Sequence, residues 1–174
     1  MFRIAYFALL CCVFPFGLPF AACLAQDPAV ACFTPDNNCT SQIDREIDQA
    51  KETLQMQAFS FTSYPIAKAL AAAQKRGVRV EVILDRDNFL KEFTQSKILL
   101  EAGIPLYLDG NHQTAHNKVV IVDGKTVITG SFNFTKAAQE KNAENVLILR
   151  DPQLAKVYSQ NWQTHRQHSE QFSK

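Results

Sequence analysis

Apolar residues recur along this chain in two alternating rhythms. In residues 41–53, SQIDREIDQAKET, Ile43, Ile47 and Ala50 fall three and four apart, which gives a helix one buried stripe, with Thr40 or Ser41 as its cap. LQMQAFSF (54–61) then alternates apolar and polar positions as a half-buried strand does. YPIAKALAAAQKRG (64–77) returns to the helical period, with Pro65 in the first turn and Gly77 just past the end. VRVEVILD (78–85) predicts a strand, SKILLEAG (96–103) a helix ending in glycine, and IPLYLD (104–109) a short strand. NVLILR (145–150) predicts a last strand, and Asp151-Pro152 opens a long helix carrying Leu154, Val157, Tyr158 and Trp162. Strands separated by helices predict an α/β domain with helices layered on a sheet. The chain contains neither an internal repeat nor a low-complexity segment.

One segment departs from this economy. AHNKVVIVDGKTVITGSFNFT (115–135) reads as two apolar strands around Asp123-Gly124, a strong two-residue hairpin signal. A two-residue loop makes opposite residue numbers add to 247, so that Lys118 faces Thr129 and His116 faces Ser131. His116 and Lys118 share a face because side chains alternate along a strand. Imidazole, ammonium and hydroxyl are thereby expected at one end of an otherwise apolar hairpin, an inference that depends on register.

Composition adds a leader and a constraint. The only charge before Asp27 is Arg3, followed by the apolar run Ile4 to Val13 and by small residues around Cys23-Leu24-Ala25. Residues 1–25 are therefore expected to be a cleaved signal peptide, giving a periplasmic or secreted protein. Pro15, Gly17 and Pro19 argue against a membrane helix, whereas Phe20-Ala21-Ala22-Cys23 leaves a lipid anchor through Cys23 as the alternative. Losing 25 of 174 residues leaves a one-domain length, and losing Arg3 from 18 basic residues leaves 17 against 17 acidic. With no net basic excess, any surface that attracts nucleic acid must be local. Of five cysteines only Cys32 and Cys39 lie beyond the leader. In an oxidising compartment they are expected to form a disulfide in an N-terminal loop, residues 26–40, ahead of the domain at 41–174. Zinc is not expected there, because CFTPDNNC supplies one pair of ligands and no second pair.

Imidazole, ammonium and hydroxyl together suit a phosphodiester. Lysine offsets the anion, hydroxyl and amide donors hold the non-bridging oxygens, and histidine serves as nucleophile or general acid and base. His116-Asn117-Lys118, four residues, then Asp123 and GSFNFT (130–135) resemble the HKD motif of the phospholipase D superfamily. The single copy, the length and the leader are most similar to its small bacterial Nuc-type endonuclease branch. The likeness extends over AFSFTS (58–63), AAAQKRGVRVEVILD (71–85) and KAAQEKNAENV (136–146).

The resemblance implies a single-domain mixed sheet with helices on both faces. It implies that His116 attacks phosphorus to form a phosphohistidine, while a second motif histidine protonates the leaving oxygen and then activates water. With one motif per chain, that second histidine would come from an identical subunit, making a homodimer. Lys118 and Asn133 would bind phosphate oxygens with Ser131 beside them, and Glu144 would orient the nucleophile. No cofactor and no metal are implied. Residues 86–95, RDNFLKEFTQ, lack the Gly-rich character the resemblance would lead one to expect of a loop there.

Each residue also has a plainer reading. A lone strand histidine is usually structural, and Lys118 alone would guard a strand edge. Asp123 is accounted for by its turn and is read as structural. Ser131 and Asn133 could end a strand and cap TKAAQEK, and Glu144 by itself is a surface glutamate before a strand. His165 and His168, three apart on the last helix, could suggest a metal, but without carboxylate partners beside them they read as a solvated face, and His112 reads as loop that could reach the substrate rim. Lys136 and Lys141 are helix-surface lysines that could supply a local basic rim. Three functions follow in order of support: a metal-independent, sequence-nonspecific endonuclease on DNA, with RNA left open; a phospholipase D on membrane lipid, reached through a lipidated or uncleaved N-terminus; and a non-enzymatic phosphate-binding module. For the lipid reading, Phe89, Leu90 and Phe93 are the expected apolar patch.

Overall fold

A computed structural model describes residues 27–91 and 94–172, of Lys91 the backbone only. The expected leader lies outside the described residues. The chain forms strands β1 (Ala29–Thr34), β2 (Thr53–Ala58), β3 (Arg79–Asp85), β4 (Leu106–Asp109), β5 (Lys118–Val122), β6 (Thr126–Gly130), β7 (Glu144–Arg150) and β8 (Glu170–Gln171). The helices are α1 (Cys39–Gln49), α2 (Tyr64–Lys75), α3 (Arg86–Lys91), α4 (Ser96–Glu101), α5 (Lys136–Glu140) and α6 (Pro152–His168). The strands make one mixed sheet in the order β1-β7-β6-β5-β2-β3-β4-β8, parallel between β2, β3 and β4 and antiparallel elsewhere.

Helices cover both faces because the strands are apolar on both. Leu54 and Met56 of β2, Val80 and Val82 of β3 and Val120 of β5 join Ile43 and Ile47 of α1 and Ile66 and Leu70 of α2 in the larger core. The alternate positions Ile83, Tyr107, Val119, Ile121 and Val127 meet Ala155 and Trp162 of α6 on the reverse face. The Trp162 indole N–H donates to the Met56 carbonyl at 3.0 Å, so the polar edge of the largest reverse-face side chain is satisfied.

Within the stretch expected as an N-terminal loop, the described residues 27–40 contain a strand. AVACFT forms the edge strand β1 on β7, turning only Cys32 and Thr34 fully inward, too sparse a pattern to read as a strand. Cys32 and Cys39 are disulfide-bonded with Cα atoms 5.7 Å apart, fastening β1 to the first turn of α1. The cap of α1 is Asn38, whose side chain accepts from the Ser41 N–H, rather than Thr40 or Ser41. Residues 86–91 are the short helix α3, and β8 returns the chain to β4 after α6.

The hairpin register also differs from expectation. Val119 pairs with Thr129 and Val122 with Thr126, so opposite numbers add to 248. Asp123 and Gly124 both have positive φ, 51° and 60°, and the Lys125 N–H donates to the Val122 carbonyl at 2.9 Å. These are the features of a type I′ turn, but pairing resumes one residue later, at Thr126, leaving Lys125 unpaired between turn and ladder. Ser131 therefore does not stand opposite His116.

The Asp123 carboxylate leaves its own hairpin. Oδ2 accepts from the Lys51 N–H at 2.9 Å, and Oδ1 from those of Glu52 and Thr53 at 2.8 and 2.9 Å. Burial alone would raise its pKa, but these three donors and the charge of Lys125 outweigh burial and hold it below the ordinary carboxylate value. Asp123→Ala should cost about 2–3 kcal/mol by urea unfolding at pH 7. A depressed carboxylate stabilises the fold above its unfolded pKa and stops doing so as pH falls through the lower folded value, so wild type and variant should converge in acid.

Candidate active site

The end of the hairpin away from the Asp123 turn holds the candidate residues. Lys118 is the first residue of β5, opposite Ala58 of β2, and only 7% of it is exposed. Its neighbours include Ile43, Ile128, Phe132, Phe134 and Val146, an apolar setting for an ammonium group. Nζ donates to the His116 carbonyl at 2.8 Å and lies 5.2 Å from the centre of the Phe59 ring. Burial pushes the Lys118 pKa down from 10.5 to about 8, against the opposing charge of Glu144. A lysine placed this way is poised to gain from any anion that reaches it.

His116 is exposed, and its imidazole packs on Phe59 with ring centroids 4.6 Å apart and planes tilted by 55°. Among the described residues its ring has no hydrogen-bond partner. Phe59 is fixed from two sides: its N–H donates to the Asn117 carbonyl at 3.1 Å, and its carbonyl accepts from Asn88 Nδ2 at 2.8 Å. Buried Asp85, at the end of β3, accepts from the N–H groups of Asn88 and Ala115 at 2.7 and 2.8 Å, bracing the residue just before His116. Phe59 and Asp85 escaped the sequence reading as site residues. The signal available was an aspartate ending an otherwise apolar strand.

The GSFNFT segment works by alternation. Phe132 and Phe134 are buried, whereas Ser131 is exposed and Asn133 half-buried, an alternation that a strand-like run produces. Gly130 has φ +147°, and a Cβ there would stand 2.3 Å from the Asn145 carbonyl oxygen, so only glycine lets β6 approach β7 so closely. Thr135, rather than Ser131 or Asn133, caps α5 by accepting from the Ala138 N–H. The Asn133 side-chain oxygen is buried without a hydrogen-bond partner.

Ser131 and Glu144 meet across β6 and β7. The Ser131 hydroxyl donates to Glu144 Oε2 at 2.6 Å and accepts from the Asn145 N–H at 3.0 Å, while Asn142 Nδ2 donates to Glu144 Oε1 at 2.9 Å. Both carboxylate oxygens of Glu144 thus bond to this chain's own Ser131 and Asn142, not to His116. Glu144 nevertheless lies near enough to Lys118 to influence its charge. His116, Lys118 and Phe59 form one cluster; Ser131, Glu144 and Asn142 form another, linked to the first electrostatically. A cleft of about 530 Å³ lies elsewhere, lined by residues such as Ser41, Asp44, Ser63, Tyr64 and Thr135, but not by His116 or Lys118.

The reading of His165 and His168 as a solvated face is corrected. Both reach Asp109, whose side chain is fully buried, and His112 joins them there. The carboxylate comes from 56 residues upstream of His165, where local sequence could not announce it. Burial alone would raise the Asp109 pKa, but hydrogen bonds from the three imidazoles and the Asn111 N–H bring it to about 2.

A mixed sheet covered on both faces, with an HxK pair at a strand's start and an alternating GSxNF turn beside it, defines the phospholipase D-like class of hydrolases. Residues 43–166 match the family described as "Cardiolipin synthase, PLD-like domain", and the chain belongs to the phospholipase D superfamily. Its relatives include a Rickettsia conorii protein named phospholipase D, 47% identical over 139 residues that span 80% of this chain and 70% of that one. A mouse protein named mitochondrial cardiolipin hydrolase is 35% identical over 123 residues, 71% of this chain and 56% of its own. Among solved structures, the phospholipase D family member Nuc from Salmonella typhimurium superposes with a TM-score of 0.79 at 38% identity, covering 84% of this chain and 98% of Nuc.

The buried lysine yields a prediction about stability. The folded chain releases the Lys118 proton near pH 8, and an unfolded lysine does so near 10.5. The cost of burying the charge is therefore complete below pH 8 and gone above 10.5. Lys118→Met should stabilise the fold at pH 7 by about 1–2 kcal/mol, after allowing for the orphaned His116 carbonyl. Urea unfolding at pH 7, 9 and 11 should show that gain disappearing.

Proposed function

We propose that this protein is an exported, metal-independent and sequence-nonspecific endonuclease that hydrolyses DNA phosphodiesters through a phosphohistidine at a site shared by two copies of the chain. The observation that carries this reading is the pairing of an exposed, unbonded His116 imidazole with a buried Lys118 ammonium 2.8 Å from the carbonyl of the same histidine. The similarity to Nuc, which spans nearly all of that protein, supports the nuclease branch over other members of the superfamily. The Cys32–Cys39 disulfide supports an oxidising destination, periplasmic or secreted.

The reaction follows from the charges. A bound phosphodiester presents an anionic oxygen to Lys118, and its charge raises the lysine's affinity for its proton, keeping the ammonium intact during attack. A nitrogen of His116 bonds to phosphorus as the bond to the leaving oxygen breaks. The corresponding histidine of the second copy donates its proton to that oxygen. It then takes a proton from water, and the resulting attack releases the phosphate end and restores His116. Two moderate barriers replace one very high one. Asn133 and Ser131 are assigned to the phosphate oxygens, and Glu144, through Ser131 and Asn142, to the rim beside them. Asp123 stays structural. Lys136, on the first turn of α5, is paired with Glu140 at 3.6 Å and adds little net charge to a basic rim.

A second reading, a phospholipase D, is favoured by the names of the Rickettsia and mouse relatives. The apolar patch it calls for is reduced: Leu90 is 71% exposed, but Phe89 packs edge-on against Phe172 at 5.2 Å, and Phe93 lies outside the described residues. Purified protein in excess EDTA at 25 °C should convert supercoiled plasmid to nicked and linear forms, with His116→Ala at least about a thousandfold slower. Hydrolysis of phosphatidylcholine or cardiolipin vesicles, with DNA untouched, would select the lipase instead.

The shared site makes a separate prediction. A mixed pair with one His116→Ala chain lacks either the nucleophile or the acid. After subunit exchange with a ninefold excess of that variant, activity per wild-type chain should fall to about a tenth. Activity that simply follows the wild-type chain count would place the whole site in one copy.

A further inference from the structure

At the far end of β4 four side chains from three parts of the chain converge. Asp109 ends the strand with its side chain completely buried, and His112 stands three residues on in the following loop. His165 and His168 lie in the last turn of α6, one helical step apart on the same side. His165 Nδ1 is 2.7 Å from Asp109 Oδ2, His168 Nε2 is 3.2 Å from the same oxygen, and His112 Nδ1 is 3.2 Å from both carboxylate oxygens. The three ring centroids are 4.9–5.3 Å apart. Oδ2 thus faces three ring nitrogens but offers two lone pairs, a surplus of donors around one oxygen. Nearby Arg86 lies against Gly110, yet its partner is Asp87 rather than Asp109.

We propose that Asp109, His112, His165 and His168 form a closed structural site for one divalent transition cation of the zinc class, separate from the catalytic centre. One ligand atom from each residue lies within 4.8 Å of all the others. A tetrahedral ion with bonds of about 2.0–2.1 Å places its ligand atoms about 3.3 Å apart, so each group has to move inward by less than about 1 Å. Three imidazoles and one carboxylate suit zinc, whereas calcium and magnesium favour oxygen alone. All four positions are filled by protein, which marks a structural ion rather than one that activates water.

The fold has already brought the ligands together. Ser169 closes α6 by donating its N–H and hydroxyl to the His165 carbonyl at 3.1 and 2.7 Å. The chain then pairs with β4, Leu108 with Glu170 and Tyr107 with Gln171, which fixes the helix end against Asp109. An ion here would tie α6, β4 and the loop beginning at Gly110 into one unit. That loop runs to Ala115, held by Asp85, and so to His116. The cation would steady the approach to the nucleophile without touching substrate.

The test uses the untagged full chain, stripped of metal and titrated separately with Zn²⁺ and Co²⁺. One equivalent of each should bind per chain, cobalt should give the visible absorption of a tetrahedral site, and zinc at a hundred times Kd should raise Tm by roughly 5–10 °C. His112→Ala, on an exposed loop where folding is not at stake, and His165→Ala should each weaken binding at least about a hundredfold. His116→Ala should bind normally, which separates this site from the catalytic one. Absence of stoichiometric binding, or binding equally strong in the His112 and His165 variants, would overturn the proposal.

Discussion

A single carboxylate decides how this hairpin meets the rest of the sheet. Asp123 sits in a left-handed turn position and takes three consecutive backbone N–H groups, those of Lys51 and Glu52 before β2 and of Thr53 at its start. Those donors would otherwise be a chain reversal's unpaired amides. The contact anchors one end of β5 beside β2, where Leu54 pairs with Val122, and successive pairings carry that alignment to Ala58 and Lys118 at the other end. One residue of slip would exchange the two faces of β5 and turn Lys118 away from its present surroundings. Aspartate at the turn therefore fixes which face receives the lysine five positions before it in sequence.

That placement carries a cost that core packing does not explain. The even positions of β5 face the larger core, so Lys118 occupies a place that Val120 and Val122 fill with apolar atoms. An ammonium there loses hydration and recovers one carbonyl hydrogen bond and a ring face. His116, just outside the ladder, is held by a ring contact alone, and Asn133 keeps a buried oxygen without a partner. Buried polar atoms without partners occur elsewhere too, at Asp44 and Arg150, but here three such departures stand together. Local inconsistency of this kind, gathered at one strand end, is where function is expected to reside.

Much of this was legible in order along the chain. The helical and strand periods located the elements from α1 to α6 apart from the short helix α3, because those elements bury one stripe or two faces and record it locally. The HxK pair and GSxNF turn were legible for the same reason: residues two apart on a strand share a face whatever the rest of the fold does. What escaped depended on distant partners. Strand β1 alternates in burial, but its outward residues Ala29, Ala31 and Phe33 are apolar too, so AVACFT hides the period, and the strand is laid against β7. The register was misjudged by one because Lys125 is left out of the pairing, a detail that composition does not encode. Ser131 consequently bonds across to β7, to Glu144, instead of facing His116.

The histidines of α6 show the same limit from the opposite direction. His165 and His168 are correctly placed on one helical face by their spacing, but the character of that face is set by β8, which brings the helix end back to β4. A two-residue strand converts what reads as solvent-facing imidazoles into partners of a buried carboxylate. Asp85 and Asp109 are register partners at the ends of adjacent parallel strands, and each organises part of the segment between β4 and β5. Asp109 holds its beginning, through Asn111 and His112, and Asp85 holds its end, through Ala115. The nucleophile candidate thus emerges from a loop clamped at both ends by carboxylates of the sheet. Nothing in the loop's own sequence, GNHQTA, explains its order; the explanation lies in the two strands that precede it.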